Sequence, residues 1–155
     1  MTPELHPGDL LLFDRRGSVV NWWIRVKTWS DVSHCEVYVG DGWTWASRNG
    51  EGVNEYPVDT SGLRRVLRPD AELDWPAGRE WFVTVRGQGY DYLGLLAFYY
   101  ARWQGRESPR MFCSEFATRL YRALGLEPFR ADTDADGVAP SSFDYSPRFA
   151  VTWRA

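Results

Sequence analysis

The sequence has little of what marks secreted, membrane-spanning or nucleic-acid-binding proteins. It contains only two cysteines in 155 residues, which excludes a small secreted scaffold stapled by several disulfides. No run of about 18 apolar residues occurs, which excludes a conventional membrane-spanning helix. The formal net charge is -3, whereas a nucleic-acid-binding surface would need a basic stripe. The N-terminal residues show no basic stretch followed by a long apolar run, so we expect no signal peptide and a protein that is cytoplasmic as synthesised.

Aromatic residues, by contrast, are abundant. Trp, Tyr and Phe together make up 16% of the chain, which suits a well-packed core and also an aromatic-walled groove. The chain has no internal repeat and no linker long enough to divide it. We therefore expect a single domain over residues 1–155.

Patterns in the first half of the chain predict one helix and four strands. The apolar run at residues 8–13 predicts a buried strand. Large apolar residues at spacings of three and four predict a helix over residues 18–30, whose tryptophans belong to the core or, alternatively, to a membrane-surface face. Three more strands are predicted, with Asp41-Gly42 as the hairpin turn between the first two: residues 34–40, 42–47 and 52–58.

The second half predicts two strands and two helices. Alternation predicts a strand over residues 79–87, and an aromatic-rich helix follows over residues 90–103. The next helix should begin with Ser108 as its N-cap and Pro109 in its first turn, and end at Gly125. A final strand is predicted in the segment "RFAVTW". Together these elements predict an α+β fold in which an antiparallel sheet packs against helices.

Cys113 and His34 are the candidate catalytic pair. Cys113 lies near the start of the predicted helix, where the positive field of a helix N-terminus favours the thiolate, the reactive form of cysteine. His34 opens the strand "HCEVYVG", and its imidazole could take the proton of the thiol and return it to a leaving group. A cysteine on an apolar helix face is often a plain core residue, so the pair has a function only if the fold brings the two segments together.

The order of these segments resembles a known family. "GDLLLF", a helix, "SHCEVYVGDG", "YDYLGLLAF" and "MFCSEFATRLYRALG" together resemble the permuted branch of the NlpC-type papain-like cysteine hydrolases, over roughly residues 7–126. The resemblance implies a papain-like α+β fold whose His strand precedes its Cys helix, with Cys113 as nucleophile and His34 as base. The family includes cell-wall peptidases and amidases, and relatives similar to lecithin:retinol acyltransferase act on lipid acyl groups.

The third catalytic residue is where the chain departs from this family. The resemblance implies a His or Glu about twelve positions after the base, but Ala46 stands there and cannot orient an imidazole. Glu36 lies two residues after His34, hence on the same side of the strand, and could hold the ring. Ser47 could supply a hydrogen bond instead. We favour Glu36.

Other residues near the pair are candidates for binding substrate. Arg48 could grip a substrate carboxylate through its fork of donors, and Ser47 is a second candidate. Tyr92 or Tyr90 could donate a hydroxyl to the oxyanion, as could the backbone N–H of Cys113. Cys35 should point to the face of the strand opposite His34, as a buried and inert thiol.

These features predict a thiol hydrolase that cleaves an amide bond in a cell-wall peptide or similar substrate through an acyl-enzyme on Cys113. The alternatives are a lipid-directed acyltransferase or thioesterase that uses the same pair at a lipid surface, and a ligand-binding relative without catalysis. We expect no cofactor and no metal. Residues 132–137 match the first half of a calcium loop, but Phe143 stands where that loop needs a bidentate Glu.

Overall fold

Short segments rich in apolar and β-branched residues form a six-stranded antiparallel sheet. The structure is a computed structural model, and it describes residues 3–14, 30–89 and 111–155. Along the sheet the strands follow the order β4-β3-β2-β1-β5-β6. Their bounds are β1 (Leu10–Phe13), β2 (His34–Gly40), β3 (Trp43–Arg48), β4 (Gly52–Pro57), β5 (Leu63–Pro69) and β6 (Phe149–Arg154).

Helices pack on one side of this sheet. Within residues 3–14, 30–89 and 111–155 there are two α-helices, α1 (Trp75–Val85) and α2 (Cys113–Ala123), and two short 3-10 helices, Ala135–Gly137 and Pro140–Tyr145. The predicted α+β fold with an antiparallel sheet against helices is confirmed, and the architecture is consistent with a papain-like fold. None of the helices in the described part of the chain has the length and apolar character needed to cross a membrane.

Several predicted features lie outside the described residues. They are the helix over residues 18–30, the helix over residues 90–103, the two candidate oxyanion donors Tyr90 and Tyr92, and the predicted helix-start residues Ser108 and Pro109.

The predicted strands from β1 to β4 and the last strand, β6, are confirmed, with ends that differ by one or two residues. Asp41 and Gly42 both have positive φ, 51° and 80°, which is the backbone of a tight two-residue hairpin turn. Aspartate adopts positive φ more readily than most residues, and Gly42 has no Cβ to oppose this conformation. The turn pairs Gly40 with Trp43, and an irregularity between Tyr38 and Gly40 then shifts the register so that Tyr38 pairs with Thr44.

Alternation along the strands gives the sheet two different faces. Leu10 and Leu12 belong to the main core, together with Cys35 and Val37, and this core includes the inner faces of α1 and α2. The opposite face carries a smaller cluster formed by Leu11, Phe13, Leu63 and Val66. The register places Glu36 across from Leu11 and His34 across from Phe13, so both side chains lie on this second face.

The strand predicted over residues 79–87 is wrong, because this segment forms most of α1. Asp74 caps the helix by accepting a hydrogen bond from the N–H of Ala77 at 3.1 Å, and Pro76 lies in the first turn. The buried residues Gly78, Phe82 and Val85 follow helical spacing. Val83, which strand alternation would have buried, is 68% exposed.

Strand β5 was missed by the sequence analysis. Its pairing with β1 is irregular near Leu12 and Phe13, and its pairing with β6 is irregular between Val66 and Leu67. The irregularity beside β1 inserts one extra residue between Leu63 and Arg65, so Leu63 and Val66, which are three positions apart, lie on the same second face, while Leu67 lies in the main core. The apolar residues therefore do not alternate in the sequence, which removes the usual signal for a strand.

Helix α2 begins later than predicted. Residue 112 has an extended backbone, with φ -90° and ψ 167°, and Cys113 is the first helical residue, so the predicted start at Pro109 is wrong for this helix. Ser114 then donates to the carbonyl of Val138, which fastens the first turn of α2 to the segment after the first 3-10 helix. The predicted end is confirmed, since Gly125 follows the helix with φ 82°.

Gly52 permits a close approach between β4 and residues 87–88. A Cβ at Gly52 would lie 2.3 Å from the carbonyl oxygen of Gln88, and its φ is 80°. Gly87 has a similar φ of 86° but open space around it.

The two glycines give a matched pair of variants. We expect Gly87→Ala to lower the free energy of unfolding by about 1 kcal/mol, from backbone strain alone. Gly52→Ala should lower it by about 3 kcal/mol, because the backbone must also move. Urea denaturation of both variants measures the difference, and equal losses would contradict the close contact.

Candidate active site

The N-terminus of α2 lies where β2 and β3 stop pairing with each other. The ladder between these strands ends at Val37 and Trp45, while β2 continues along β1 and β3 continues along β4. Ser47, in this continuation of β3, is fully buried, and its hydroxyl donates to the carbonyl oxygen of Met111. This bond fastens the residues that lead into α2 to the end of β3. The first helical residue, Cys113, is thereby held beside the start of β2.

Cys113 lies beside two neighbouring residues of β2, His34 and Cys35. Its sulfur interacts with the thiol and the backbone N–H of Cys35 and with the imidazole of His34. The hydrogen bond from the Cys35 thiol and the positive charge and hydrogen bond of His34 hold the pKa of Cys113 well below its usual range, although burial opposes this. The arrangement favours a thiolate at Cys113, and both cysteines are free thiols.

His34 lies between Cys113 and Glu36. Its Nε2 is 3.0 Å from Oε1 of Glu36, and because an ionised carboxylate only accepts, Nε2 carries the proton of this bond. Nδ1 is then the ring nitrogen that can exchange a proton with Cys113. Burial lowers the pKa of His34, but the thiolate of Cys113 and the hydrogen bonds to Cys113 and Glu36 outweigh it and raise the pKa to about 9.

Glu36 is a fully buried carboxylate whose oxygens are well supplied with donors. Oε1 accepts from His34 and from Nε of Arg48 at 2.9 Å, and Oε2 accepts from Oγ1 of Thr44 at 2.6 Å and from Nη2 of Arg48 at 3.0 Å. Burial raises the pKa of Glu36, but the hydrogen bonds and the charge of His34, with those from Arg48 and Thr44, bring it far below the usual range. Glu36 is therefore a fixed negative charge.

Arg48 directs its guanidinium fork at this carboxylate. The two nitrogens that bind Glu36 give the bidentate geometry that is typical of strong arginine–carboxylate pairs. The guanidinium also lies over the ring of Tyr56, 4.1 Å from its centroid, and the hydroxyl of Tyr56 donates to the carbonyl of Gly52 at 2.7 Å. The structure thus gives Arg48 a partner within the protein, whereas its predicted contact with a substrate carboxylate stays a prediction.

The structure brings together Cys113, His34 and Glu36 among the predicted site residues. Ala46 is fully buried and takes no part in orienting the imidazole. Ser47 bonds to the segment before α2, and its predicted contact with substrate stays a prediction. Tyr92 lies outside the described residues.

Sequence reasoning missed Thr44, Tyr56 and the contact of Cys35 with Cys113. Thr44 lies on the same face of β3 as Arg48, and the register shift between Tyr38 and Gly40 brings that face beside Glu36. The turn alone would place Thr44 opposite Val39, on the other face of the sheet, so no local signal pointed to Thr44. Cys35 is buried as predicted, but it contacts the candidate nucleophile rather than core residues alone.

The acidic loop has internal partners. The guanidinium of Arg130 bonds to Asp132, with Nε 3.2 Å from Oδ1. Among the side chains that the structure describes, no three His, Cys, Asp or Glu residues come together in a group that could bind a metal ion.

The fixed charge of Glu36 makes Arg48 important for stability. Arg48→Gln removes the cationic partner of a carboxylate that stays buried, and we expect the free energy of unfolding to fall by about 3 kcal/mol. Arg148→Gln is the matched control, because the Arg148–Asp70 pair has the same bond length of 2.9 Å but exposed side chains. It should cost less than about 1 kcal/mol. Urea denaturation of the two variants checks the expectation, and similar small losses would contradict it.

Comparison with known proteins places the chain beside a curated relative. No protein-family model matches the chain. A curated protein of Escherichia coli (strain K12), named probable lipoprotein peptidase YaeF, is 33% identical to the chain over 102 residues. The aligned region covers 62% of this chain but 36% of the relative, so the chain spans little more than a third of the relative's length. The chain is thus similar to part of a protein named as a peptidase.

Proposed function

We propose that this protein is a cysteine hydrolase that cleaves an amide bond through an acyl-enzyme on Cys113, with His34 as general base and acid. The observation that carries the proposal is the unbroken series of contacts from the Cys113 sulfur through the His34 ring to Glu36. A nucleophile, a base and a group that orients the base are the elements that thiol hydrolysis needs. The similarity to a protein named as a peptidase supports the same class of reaction.

The acylation step begins from the thiolate of Cys113 and the imidazolium of His34. The thiolate attacks the carbonyl carbon of the amide, forming a C–S bond and moving an electron pair onto the carbonyl oxygen. The backbone N–H of Cys113, at the first position of α2, is a donor available to this oxyanion. When the oxyanion collapses, the C–N bond breaks and Nδ1 of His34 gives its proton to the departing amine. A thioester on Cys113 and a neutral imidazole remain.

The second step regenerates the starting state. Neutral His34 takes a proton from water, and the resulting hydroxide attacks the thioester carbon. The C–S bond then breaks, the acid product leaves, and the thiolate–imidazolium pair is restored. Glu36 stays ionised throughout and keeps Nε2 of His34 as a donor, so the proton that moves is always the one on Nδ1.

For the substrate, we propose a peptide of the bacterial cell wall or a peptide of similar chemistry. The support is the resemblance of the segment order to the permuted NlpC-type hydrolases, in which the His strand precedes the Cys helix. We further propose that residues 1–155 form one hydrolase domain.

Removal of either member of the pair tests the reaction. Cys113→Ala should abolish hydrolysis of soluble peptidoglycan fragments, because no nucleophile remains. His34→Ala should lower kcat/KM at least about 100-fold, because the proton relay is lost. His6→Ala is the matched control, since His6 is the chain's other histidine and its side chain is 51% exposed. It should keep full activity.

The outcome also separates the alternatives. Equal turnover by Cys113→Ala and the parent, with both folded by circular dichroism, would overturn the proposal. Hydrolysis of lipid esters in vesicles, without cleavage of peptides, would favour the lipid-directed alternative. Binding of fragments without turnover by the parent protein would favour the non-catalytic one.

The pKa of His34 predicts the pH dependence of the reaction. Glu36 and Cys113 hold the proton on His34 well above the ordinary value of 6.5, so kcat/KM should fall as pH rises through about 9, where the general acid is lost. Glu36→Gln removes a charge and an acceptor that raise this pKa. Its alkaline limb should therefore move at least about one pH unit lower.

Glu72→Gln is the matched control for this profile, because Glu72 is exposed. Its alkaline limb should coincide with that of the parent. An unchanged limb in Glu36→Gln would contradict the role of Glu36 in setting the charge of His34.

A further inference from the structure

A row of side chains supports the ring of His34 from the edge of the sheet. Tyr56 of β4 lies under Arg48 of β3, and the guanidinium carbon is 4.1 Å from the centroid of the tyrosine ring. Arg48 in turn bonds to both oxygens of Glu36, and Oε1 of Glu36 is 3.0 Å from Nε2 of His34. The row therefore crosses three neighbouring strands, β4, β3 and β2, and ends on the candidate base.

We propose that Arg48 is a positioning residue for His34, on which it acts by fixing the carboxylate of Glu36 with its two-nitrogen fork, and that the ring of Tyr56 holds this fork in place. The inference rests on the proposed function for its effect on turnover, but the contacts do not depend on that function. It differs from the predicted contact of Arg48 with a substrate carboxylate, and the two roles have different kinetic consequences.

The physical reason is the freedom of a carboxylate at the end of a glutamate side chain. Its terminal torsion has a broad energy minimum, so one hydrogen bond to His34 would leave the carboxylate plane free to turn. Nε of Arg48 is 2.9 Å from Oε1 and Nη2 is 3.0 Å from Oε2. Because the guanidinium is planar and rigid, these two bonds fix both oxygens of Glu36 at once. Oε1 is thereby held in line with the proton on Nε2 of His34.

The fork is itself held by its surroundings. The side chain of Arg48 is 18% exposed, and the aromatic face of Tyr56 packs against its guanidinium. The hydroxyl of Tyr56 donates to the carbonyl of Gly52 at 2.7 Å, which ties the ring to its own strand. Thr44 adds a further donor to Oε2 of Glu36 at 2.6 Å. The carboxylate is therefore held by two residues of β3, and one of them is held by β4.

A second arginine fork in the described part of the chain supplies a matched control. Arg68 bonds to Oδ1 of Asp9 at 2.8 Å and to Oδ2 at 2.9 Å, and Asp9 is buried like Glu36. The histidine that bonds to this carboxylate, His6, does so through its backbone N–H and not through its ring. A change at Arg68 thus weakens the same kind of buried pair but leaves the support of His34 intact.

The first test is the steady-state kinetics of Arg48→Lys and Arg68→Lys with soluble peptidoglycan fragments. Lysine keeps the positive charge but cannot make two parallel bonds. Arg48→Lys should lower kcat about tenfold and keep KM within about twofold of the parent, because the lost contact acts on the base and not on the substrate. Arg68→Lys should keep both constants. An unchanged kcat in Arg48→Lys, or a raised KM at unchanged kcat, would overturn the inference.

A double-mutant cycle tests whether Arg48 acts through Glu36. In the Glu36→Gln background the side chain at position 36 offers the fork only one acceptor oxygen. Arg48→Lys should therefore lower kcat by less than about twofold in this background. A loss as large as in the parent background would contradict the series of contacts, because Arg48 would then act on the reaction independently of Glu36.

Tyr56 offers a probe that leaves the buried ion pair in place, so it decides the question even if Arg48→Lys does not fold. Tyr56→Phe keeps the aromatic face under the guanidinium and should keep kcat within about twofold of the parent. Tyr56→Leu removes that face and should lower kcat about threefold relative to Tyr56→Phe. Equal kcat values in these two variants would overturn the role of the ring.

Nuclear magnetic resonance of the His34 ring tests the inference without a substrate. The chain has two histidines, and the side chain of His6 is 51% exposed, so a slowly exchanging imidazole proton identifies Nε2–H of His34. The parent and Arg68→Lys should exchange this proton with water at the same rate. Arg48→Lys should exchange it at least about tenfold faster, because its acceptor is no longer fixed. Exchange at the parental rate in Arg48→Lys would overturn the inference.

The two kinds of measurement separate this inference from the proposed function. A chain without hydrolase activity could still show the faster exchange in Arg48→Lys, which would support the role of Arg48 and remove only the proposed function. An active enzyme in which both kcat and proton exchange ignore Arg48 would leave the hydrolase intact and remove only the role of Arg48.

Discussion

The buried negative charge of Glu36 is the constraint on which the rest of the site depends. An ionised carboxylate with no exposed surface is tolerated only when donors surround it. The donors come from two strands, His34 from β2 and Thr44 and Arg48 from β3, and Tyr56 of β4 packs under the guanidinium. Each strand of this region is therefore fixed in register by the need to bring its donor to the same carboxylate.

The consequence for chemistry is a short series of alternating charges. Arg48 is positive, Glu36 negative and His34 positive, and this order favours a negative sulfur at Cys113. Each charge in this series lies beside an opposite one. Cys113 can therefore be a thiolate although its side chain is buried. The end of the β2–β3 ladder supplies the necessary space, because it lets a helix N-terminus approach the ring of His34 from the other side of the sheet.

The fold was predictable where local signals agreed with the tertiary structure. The strands of the first hairpin are short, and the Asp41-Gly42 turn fixes where they reverse, although the irregularity between Tyr38 and Gly40 changes the register beyond it. Prediction failed at α1, whose β-branched residues near Val83 favour a strand. The packing of Phe82 against Trp45, with ring centroids 4.1 Å apart, stabilises this segment as a helix on the sheet. It also failed at β5, where irregular pairing hides the alternation.

The sequence by itself determined that Glu36 shares a side of β2 with His34, because side chains two residues apart in a strand point the same way. It also determined that a cysteine lies near a helix start. Only the tertiary structure decided that this cysteine meets His34 and that Arg48 turns inward to Glu36. The first contact joins segments that are distant in the chain, and no local pattern records that the packing of α2 on the sheet will bring them together. The second depends on the irregularity in the β2–β3 pairing, which the turn residues do not record.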